Sequence, residues 1–93
     1  MTVYVDDMRA PFGRMIMCHM AADTTEELLV MSRTIGVEAR WIQKAGTYLE
    51  HFDIALSKRT LAVQHGAVEV TQRELVKIML TKRGHASGHR GRT

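Results

Sequence analysis

The chain changes from strand to helix within Tyr48-Leu49-Glu50-His51-Phe52-Asp53-Ile54-Ala55-Leu56-Ser57-Lys58-Arg59. Because side chains two residues apart on a strand point to the same side, His51 and Asp53 are predicted to share one face. An imidazole and a carboxylate placed in this way can bind a metal ion together, or the carboxylate can orient the ring for proton transfer. Two structural roles are the alternative: Asp53 could cap the following helix, and His51 could bond to a backbone carbonyl group.

The segments around this junction alternate between strand and helix patterns. Some are rich in β-branched or apolar residues, or alternate between apolar and polar residues, as strands do. They are residues 2–5, 15–22, 37–42 and 67–70, with a short helix as the alternative for the apolar run 15–22. Others follow a helix start signal and end near a glycine or a basic residue. They are residues 24–35, 55–65 and 71–83.

This order of elements predicts an α/β protein: a small single-domain layered fold with about four short, mainly parallel strands and three helices. The domain is predicted to span residues 1–83. Residues 84–93 contain three glycines and no large apolar side chain, so they are predicted to form a disordered basic tail. Ligands bind at the carboxyl ends of parallel strands, so polar residues that follow strands are expected to meet there.

The positive charge of the chain is concentrated in that tail. The formal net charge is +3, but residues 82–93 hold four of the 13 Lys and Arg residues and no acid. The remaining nine cations face 10 acids, which gives residues 1–81 a charge of −1. A basic binding face on the fold is therefore not implied. Electrostatic contact of the tail with nucleic acid is possible, but the tail has no aromatic residue on which bases could stack.

Cysteine content and hydropathy indicate a soluble cytoplasmic protein. Cys18 is the only cysteine, so neither an internal disulfide nor a multi-cysteine zinc site can form. We expect it to be a core residue. The longest apolar run, residues 15–22, is interrupted by His19 and is far too short to span a bilayer, so no membrane contact is expected.

Four residues could together form a metal or catalytic site. Asp6, His19, His51 and Asp53 would supply the oxygen and nitrogen atoms that suit a divalent transition metal, or the acids and bases of an enzyme. Their spacing matches no recognised metal motif, so the sequence assigns no cofactor. For His19, which lies in an apolar run, the alternative is a hydrogen-bonded core residue.

A second feature points to an anionic ligand. Lys58 and Arg59 lie near the predicted start of a helix, where cations do not stabilise the helix dipole. Backbone amides at a helix start and a guanidinium group together suit phosphate. Lys44 and the two histidines, His19 and His51, could complete such a site. The alternative is a solvated first turn with a salt bridge to a nearby acid.

Several short segments carry a resemblance to a known family. They are Val3-Tyr4-Val5-Asp6-Asp7 with Pro11 and Gly13, Cys18-His19-Met20, Ala22-Asp23-Thr24-Thr25-Glu26-Glu27-Leu28, Ile35-Gly36, Trp41-Ile42-Gln43-Lys44, His51-Phe52-Asp53-Ile54, Ser57-Lys58-Arg59, Ala62, Gly66-Ala67-Val68 and Arg73-Glu74-Leu75. Together they resemble a family of small bacterial and phage proteins known as a domain of unknown function. The resemblance implies that His19, His51, Asp53 and Arg59 belong to the family signature, in which a tyrosine usually stands where this chain has Phe52. It supplies no activity, and its phage members suggest an accessory protein that acts on host pathways.

Three functions follow as hypotheses. The leading one is a small binding protein that holds a phosphate-bearing small molecule, such as a nucleotide, and that forms a homo-oligomer to deepen its pocket. The first alternative is a metal-assisted or acid–base hydrolase, similar to a nuclease or phosphodiesterase, that uses the four His and Asp residues. The second alternative is a protein-interaction module without a small-molecule site.

Overall fold

The structure is a computed structural model that describes residues 2–90, with side chains described as far as residue 83. Its strands are β1 (Val3–Val5), β2 (Ala10–Phe12), β3 (Met15–Ala22), β4 (Phe52–Ala55) and β5 (Val68–Glu69). Its helices are α1 (Thr25–Ile35), α2 (Leu56–Gln64) and α3 (Gln72–Arg90), and a short 3-10 helix covers Ala39–Trp41. The α/β class and the three predicted helices are confirmed.

Strand β3 is the centre of a five-stranded sheet. Its residue Met20 pairs with Val5 of β1 on one edge and with Phe52 of β4 on the other. β2 pairs with the first half of β3, and β5 lies beside β1. Only the pairing of β1 with β5 is parallel, so the expectation of mainly parallel strands is wrong. A tight turn at Gly13, where φ is 61°, joins β2 directly to β3, and such a short connection requires antiparallel strands.

The strand predicted over residues 37–42 is also wrong. The amides of Trp41 and Ile42 donate to carbonyl groups three residues earlier, at Glu38 and Ala39, rather than to a neighbouring strand. The alternation of apolar residues is real, but Trp41 remains 60% exposed, while Val37 and Ile42 pack against the main core. Period-two hydrophobicity in six residues did not distinguish an extended strand from a surface turn.

The two faces of β3 pack against different helices. Cys18, Met20 and Ala22 belong to the main core with α1 and α2, and the predicted core position of Cys18 is confirmed. Ala21 points to the opposite face, where it packs with Leu75 and Met79 of α3. Because side chains alternate along a strand, His19 lies on this α3 face of the sheet.

The helix ends explain which acids are available for other roles. Thr24 caps α1, and Thr71 and Glu74 form a reciprocal capping box at the start of α3. Helix α2 begins after Ala55 without any side-chain cap. The alternative reading of Asp53 as a helix cap is therefore wrong, because β4 continues two residues beyond it.

Helix α3 continues to Arg90, whereas the side chains from residue 84 onward and residues 91–93 lie outside the described residues. The disordered basic tail over residues 84–93 thus stays a prediction. Within residues 2–90, none of the helices combines the length and the apolar character needed to cross a membrane.

Candidate functional site

Strand pairing brings two histidines to one aspartate. His19 of β3 lies directly opposite Asp53 of β4, and the distance from His19 Nε2 to Asp53 Oδ1 is 3.8 Å. His51 precedes β4 by one residue, on the same side as Asp53, and its Nε2 lies 3.5 Å from the same Oδ1. The two imidazole rings meet edge to face, with centroids 5.1 Å apart. Both rings therefore present Nε2 to one carboxylate oxygen.

Asp6 fixes the orientation of His19. Asp6 is 1% exposed, and its Oδ2 lies 2.7 Å from His19 Nδ1, while its Oδ1 accepts from the His19 backbone amide at 2.9 Å. Burial opposes the ionisation of Asp6, but the hydrogen bonds from the side chain and the backbone of His19 outweigh burial and lower the pKa of Asp6. The hydrogen bond with Asp6 in turn raises the pKa of His19, against the opposing effect of burial. The Asp6 carboxylate only accepts, so His19 carries its proton on Nδ1.

His51 is oriented in the same sense by the backbone. Its Nδ1 lies 2.8 Å from the carbonyl oxygen of Leu49, which can only accept a hydrogen bond. The backbone of His51 is itself held by an isolated bridge with Gln43, through two amide–carbonyl bonds of 2.8 and 3.0 Å. In both histidines Nδ1 is thus engaged, so in the neutral form of each ring the lone pair of Nε2 faces Asp53. Metal-binding histidines are commonly held in this way.

Asp53 has one satisfied oxygen and one that lacks a partner. Gln43 Nε2 donates to Asp53 Oδ2 at 2.8 Å. The side chain as a whole is 38% exposed, yet Oδ1 is shielded from solvent and has no hydrogen-bond partner among the described residues. A buried acceptor without a partner costs about 1–3 kcal/mol. A cation between Oδ1 and the two Nε2 atoms would remove that cost.

The three side chains fit a transition-metal ion. One ligand atom from each of His19, His51 and Asp53 lies within 4.8 Å of the other two. Ligand atoms around an ion at about 2.1 Å stand roughly 3 to 3.4 Å from one another, so side-chain movements on the order of 1 Å would close the site. Two imidazoles and one carboxylate suit Zn²⁺, Fe²⁺ or Mn²⁺ and leave coordination positions open.

The cluster lies between two cavities. The smaller cavity, of about 170 Å³, is lined by His19 and His51, by Lys44 and by the first turns of α3. The larger cavity, of about 570 Å³, is lined by Asp53 and Trp41, among other residues. A ligand could therefore approach the three side chains from either side of the Asp53 carboxylate.

Lys58 and Arg59 do not line the cavity beside the two histidines. Arg59 Nε donates to the backbone oxygen of Asp6 at 2.9 Å, and its Nη1 contacts Glu69 Oε1 at 2.8 Å. Lys58 Nζ lies beside Gly36, at the end of α1. Of the cations expected at a phosphate site, only Lys44 lines the same cavity as the two histidines.

Two groups in the site were not assigned to it from the sequence. Gln43 orients Asp53, and the backbone oxygen of Leu49 orients His51. The bond between Gln43 and Asp53 spans ten residues and depends on the bridge to His51, which no local pattern encodes. A signal for Gln43 was nevertheless present, because it belongs to one of the segments that carry the family resemblance.

One of the comparisons with known proteins gave a match, and two gave none. Neither the search of curated proteins nor the search of solved structures returned a significant match. A family model described as "Protein of unknown function (DUF4031)" matches residues 3–82, which include all strands, α1, α2 and the three clustered side chains. The chain therefore belongs to the protein family of unknown function DUF4031.

Proposed function

We propose that the chain binds one divalent transition-metal ion through His19, His51 and Asp53 and uses it to hydrolyse phosphate esters. The observation that supports this most directly is the buried oxygen of Asp53, which has no partner among the described residues and faces two Nε2 atoms. The distances of 3.5 and 3.8 Å exceed those of hydrogen bonds. The three groups thus surround a position without satisfying one another.

The surroundings support a built site rather than a chance cluster. Each of the three side chains is held by a further group: His19 by Asp6, His51 by a backbone oxygen, and Asp53 by Gln43. Such outer hydrogen bonds set the tautomer of each ring and the direction of each lone pair. A histidine exposed to solvent can be hydrated by water and does not require a hydrogen bond to a buried carboxylate.

Three protein ligands leave room for water, and this favours hydrolysis. An ion held by these three side chains would lower the pKa of a bound water molecule and so would supply hydroxide at neutral pH. In the hydrolysis, a bond from phosphorus to the water oxygen would form and the bond to the ester oxygen would break. The water would release one proton to solvent and the leaving alkoxide would take one up, so one water molecule is consumed and no other reactant is needed.

Lys44 supports a phosphate group as the reacting centre. Its backbone is left-handed, with φ of 57°, and its exposed side chain borders the small cavity beside His19 and His51. A lysine ammonium group acts as a point charge for phosphate. We therefore retain a phosphate-bearing ligand, whose phosphate group is bound by Lys44 rather than by Lys58 and Arg59. Self-association remains an expectation from the small size of the chain.

The test is metal-dependent turnover of a simple phosphodiester. Protein stripped with a chelator and reloaded with Zn²⁺, Mn²⁺ or Fe²⁺ is assayed on bis(p-nitrophenyl) phosphate. We expect activity only after reloading, and a loss of at least 100-fold in His51→Ala and Asp53→Asn. His65→Ala is the matched control, because His65 is exposed at the end of α2. Equal activity in His51→Ala, or no turnover with any of the three metals, would overturn the proposal.

A further inference from the structure

The geometry points to a nucleotide as the substrate class. We infer that the larger cavity, here called the aromatic groove and lined by Phe12, Trp41, Gln43 and Asp53 among others, holds a nucleobase. The phosphate attached to that base would then lie at the three clustered side chains. This inference rests on the proposed function for the reaction, but the binding of the base has its own test.

The groove presents apolar surface that the fold itself does not use. Phe12 is 67% exposed, Trp41 is 60% exposed and Met15 is 46% exposed. Two of the five aromatic residues of the chain thus lie on one open surface, although aromatic side chains are usually buried. The groove volume of about 570 Å³ lies within the usual range for small-ligand sites, roughly 300–1,000 Å³.

Trp41 is arranged as a stacking surface. The guanidinium carbon of Arg40 lies 4.9 Å from the centroid of the indole ring, and Arg40 is held in turn by Glu38 at 2.8 Å. The guanidinium group covers one face of the indole, and Trp41 also lines the groove. Every nucleobase has a π-face that can stack on such a ring without sequence preference.

Cations lie on the segments that form the groove, although they do not line it. Residues 8–17 and 37–44 hold Arg9, Arg14, Arg40 and Lys44 but only one acid, Glu38. Asp53 is the charged residue of the lining itself, and a divalent ion at the proposed site would offset its charge. Exposed aromatic rings with cations nearby are the combination by which proteins hold nucleotides and single strands.

The position of Asp53 connects the groove to the chemistry. Asp53 and its partner Gln43 line the aromatic groove, while the two histidines line the small cavity on the other side. We expect a base against Trp41 to place the attached phosphate on the Asp53 side of the groove, next to a side chain that would bind the metal ion. The ligand is either a free nucleotide or the end of a single strand, since both join a base to a phosphate.

Trp41 itself supplies the measurement, because it is the only tryptophan in the chain. Its fluorescence is followed while Zn²⁺-loaded protein is titrated with adenosine monophosphate, with a short oligothymidylate, and with ribose 5-phosphate, which lacks a base. We expect quenching by the first two ligands and none by ribose 5-phosphate. Tighter binding of the oligonucleotide identifies a single strand as the ligand, and equal or weaker binding identifies a free nucleotide.

Variants separate this inference from the proposed function. Phe12→Ala is expected to weaken base binding about tenfold while the protein still binds metal. Val30→Ala, which removes an exposed apolar side chain from α1, is the matched control and should change neither. His51→Ala should lose metal and turnover but still show quenching by nucleotides.

Two outcomes would overturn the inference. One is a metal-loaded, active protein in which neither nucleotide nor oligonucleotide changes Trp41 fluorescence. The other is a dimer, detected by sedimentation, that dissociates in Phe12→Ala, because the aromatic groove would then be an interface between two copies. In either case the metal-dependent hydrolysis would still be tested separately, by the turnover of bis(p-nitrophenyl) phosphate.

Discussion

His19 and Asp53 lie opposite each other across the antiparallel pair of β3 and β4, in register, with both side chains on the α3 face of the sheet. A shift of the register by one residue would turn Asp53 to the other face. The site therefore depends on the pairing of two strands that are far apart in the sequence. The site forms only when β3 and β4 pair in this register.

Removal of the charge on Asp6 tests whether the orientation of His19 matters. Asp6→Asn keeps an oxygen that can accept the backbone amides but loses the carboxylate beside His19 Nδ1. We expect metal affinity to fall about 10- to 100-fold, as is common for outer partners of metal-binding histidines. Competition titration with a coloured chelator measures the change. Asp7→Asn is the control, and equal affinities in the two variants would contradict a role for Asp6.

A second prediction concerns Gln43, which donates a hydrogen bond to the carboxylate of Asp53. Gln43→Ala removes the donor to Asp53 Oδ2 and lets the carboxylate rotate. Because the contact is exposed, we expect a smaller loss of metal affinity, about 3- to 10-fold, with little change in stability. Gln64→Ala, at the exposed end of α2, is the matched control. A loss of stability without any change in metal affinity would show that Gln43 only supports the fold.

Arg59 distinguishes a structural role from the phosphate-binding role that its position suggested. Its side chain is 20% exposed and joins the backbone of Asp6 to Glu69. Arg59→Ala should lower the free energy of unfolding by about 1–3 kcal/mol, measured by urea denaturation, because the Asp6 carbonyl group loses its donor. Arg33→Ala, an exposed change in the last turn of α1, should have little effect. Unchanged stability together with lost phosphate binding would favour the original hypothesis.

The parts of the fold that sequence could predict are those encoded locally. The capping box of Thr71 and Glu74 and the apolar face of α1 are set by residues three or four apart, and the structure has both. The strand predicted over residues 37–42 was wrong because alternation alone does not distinguish a strand from a surface turn. The antiparallel sheet was missed because no strand was predicted between residues 5 and 15, whereas Pro11 lies in β2 and Gly13 in the hairpin turn that follows it.

In the candidate site, too, only the features encoded by neighbouring residues could be predicted from the sequence. Period-two spacing placed His51 and Asp53 on one side, and the structure has both there. The contribution of His19 and Asp6 could be proposed only as residue types, because their contact joins the end of β1 to the middle of β3. The cations Lys58 and Arg59 were grouped with the histidines because of sequence proximity. In the structure neither lines the cavity beside the histidines, and Arg59 bonds to the backbone of Asp6 and to Glu69.

Metal stoichiometry tests the central claim most directly. Isothermal titration of chelator-stripped protein with Zn²⁺, at constant ionic strength and neutral pH, measures the number of ions bound per chain. We expect one ion per chain in the unchanged protein, none at the same concentrations in His51→Ala, and one in the His65→Ala control. Absence of binding by the unchanged protein, or equal binding by His51→Ala, would contradict a metal site at His19, His51 and Asp53.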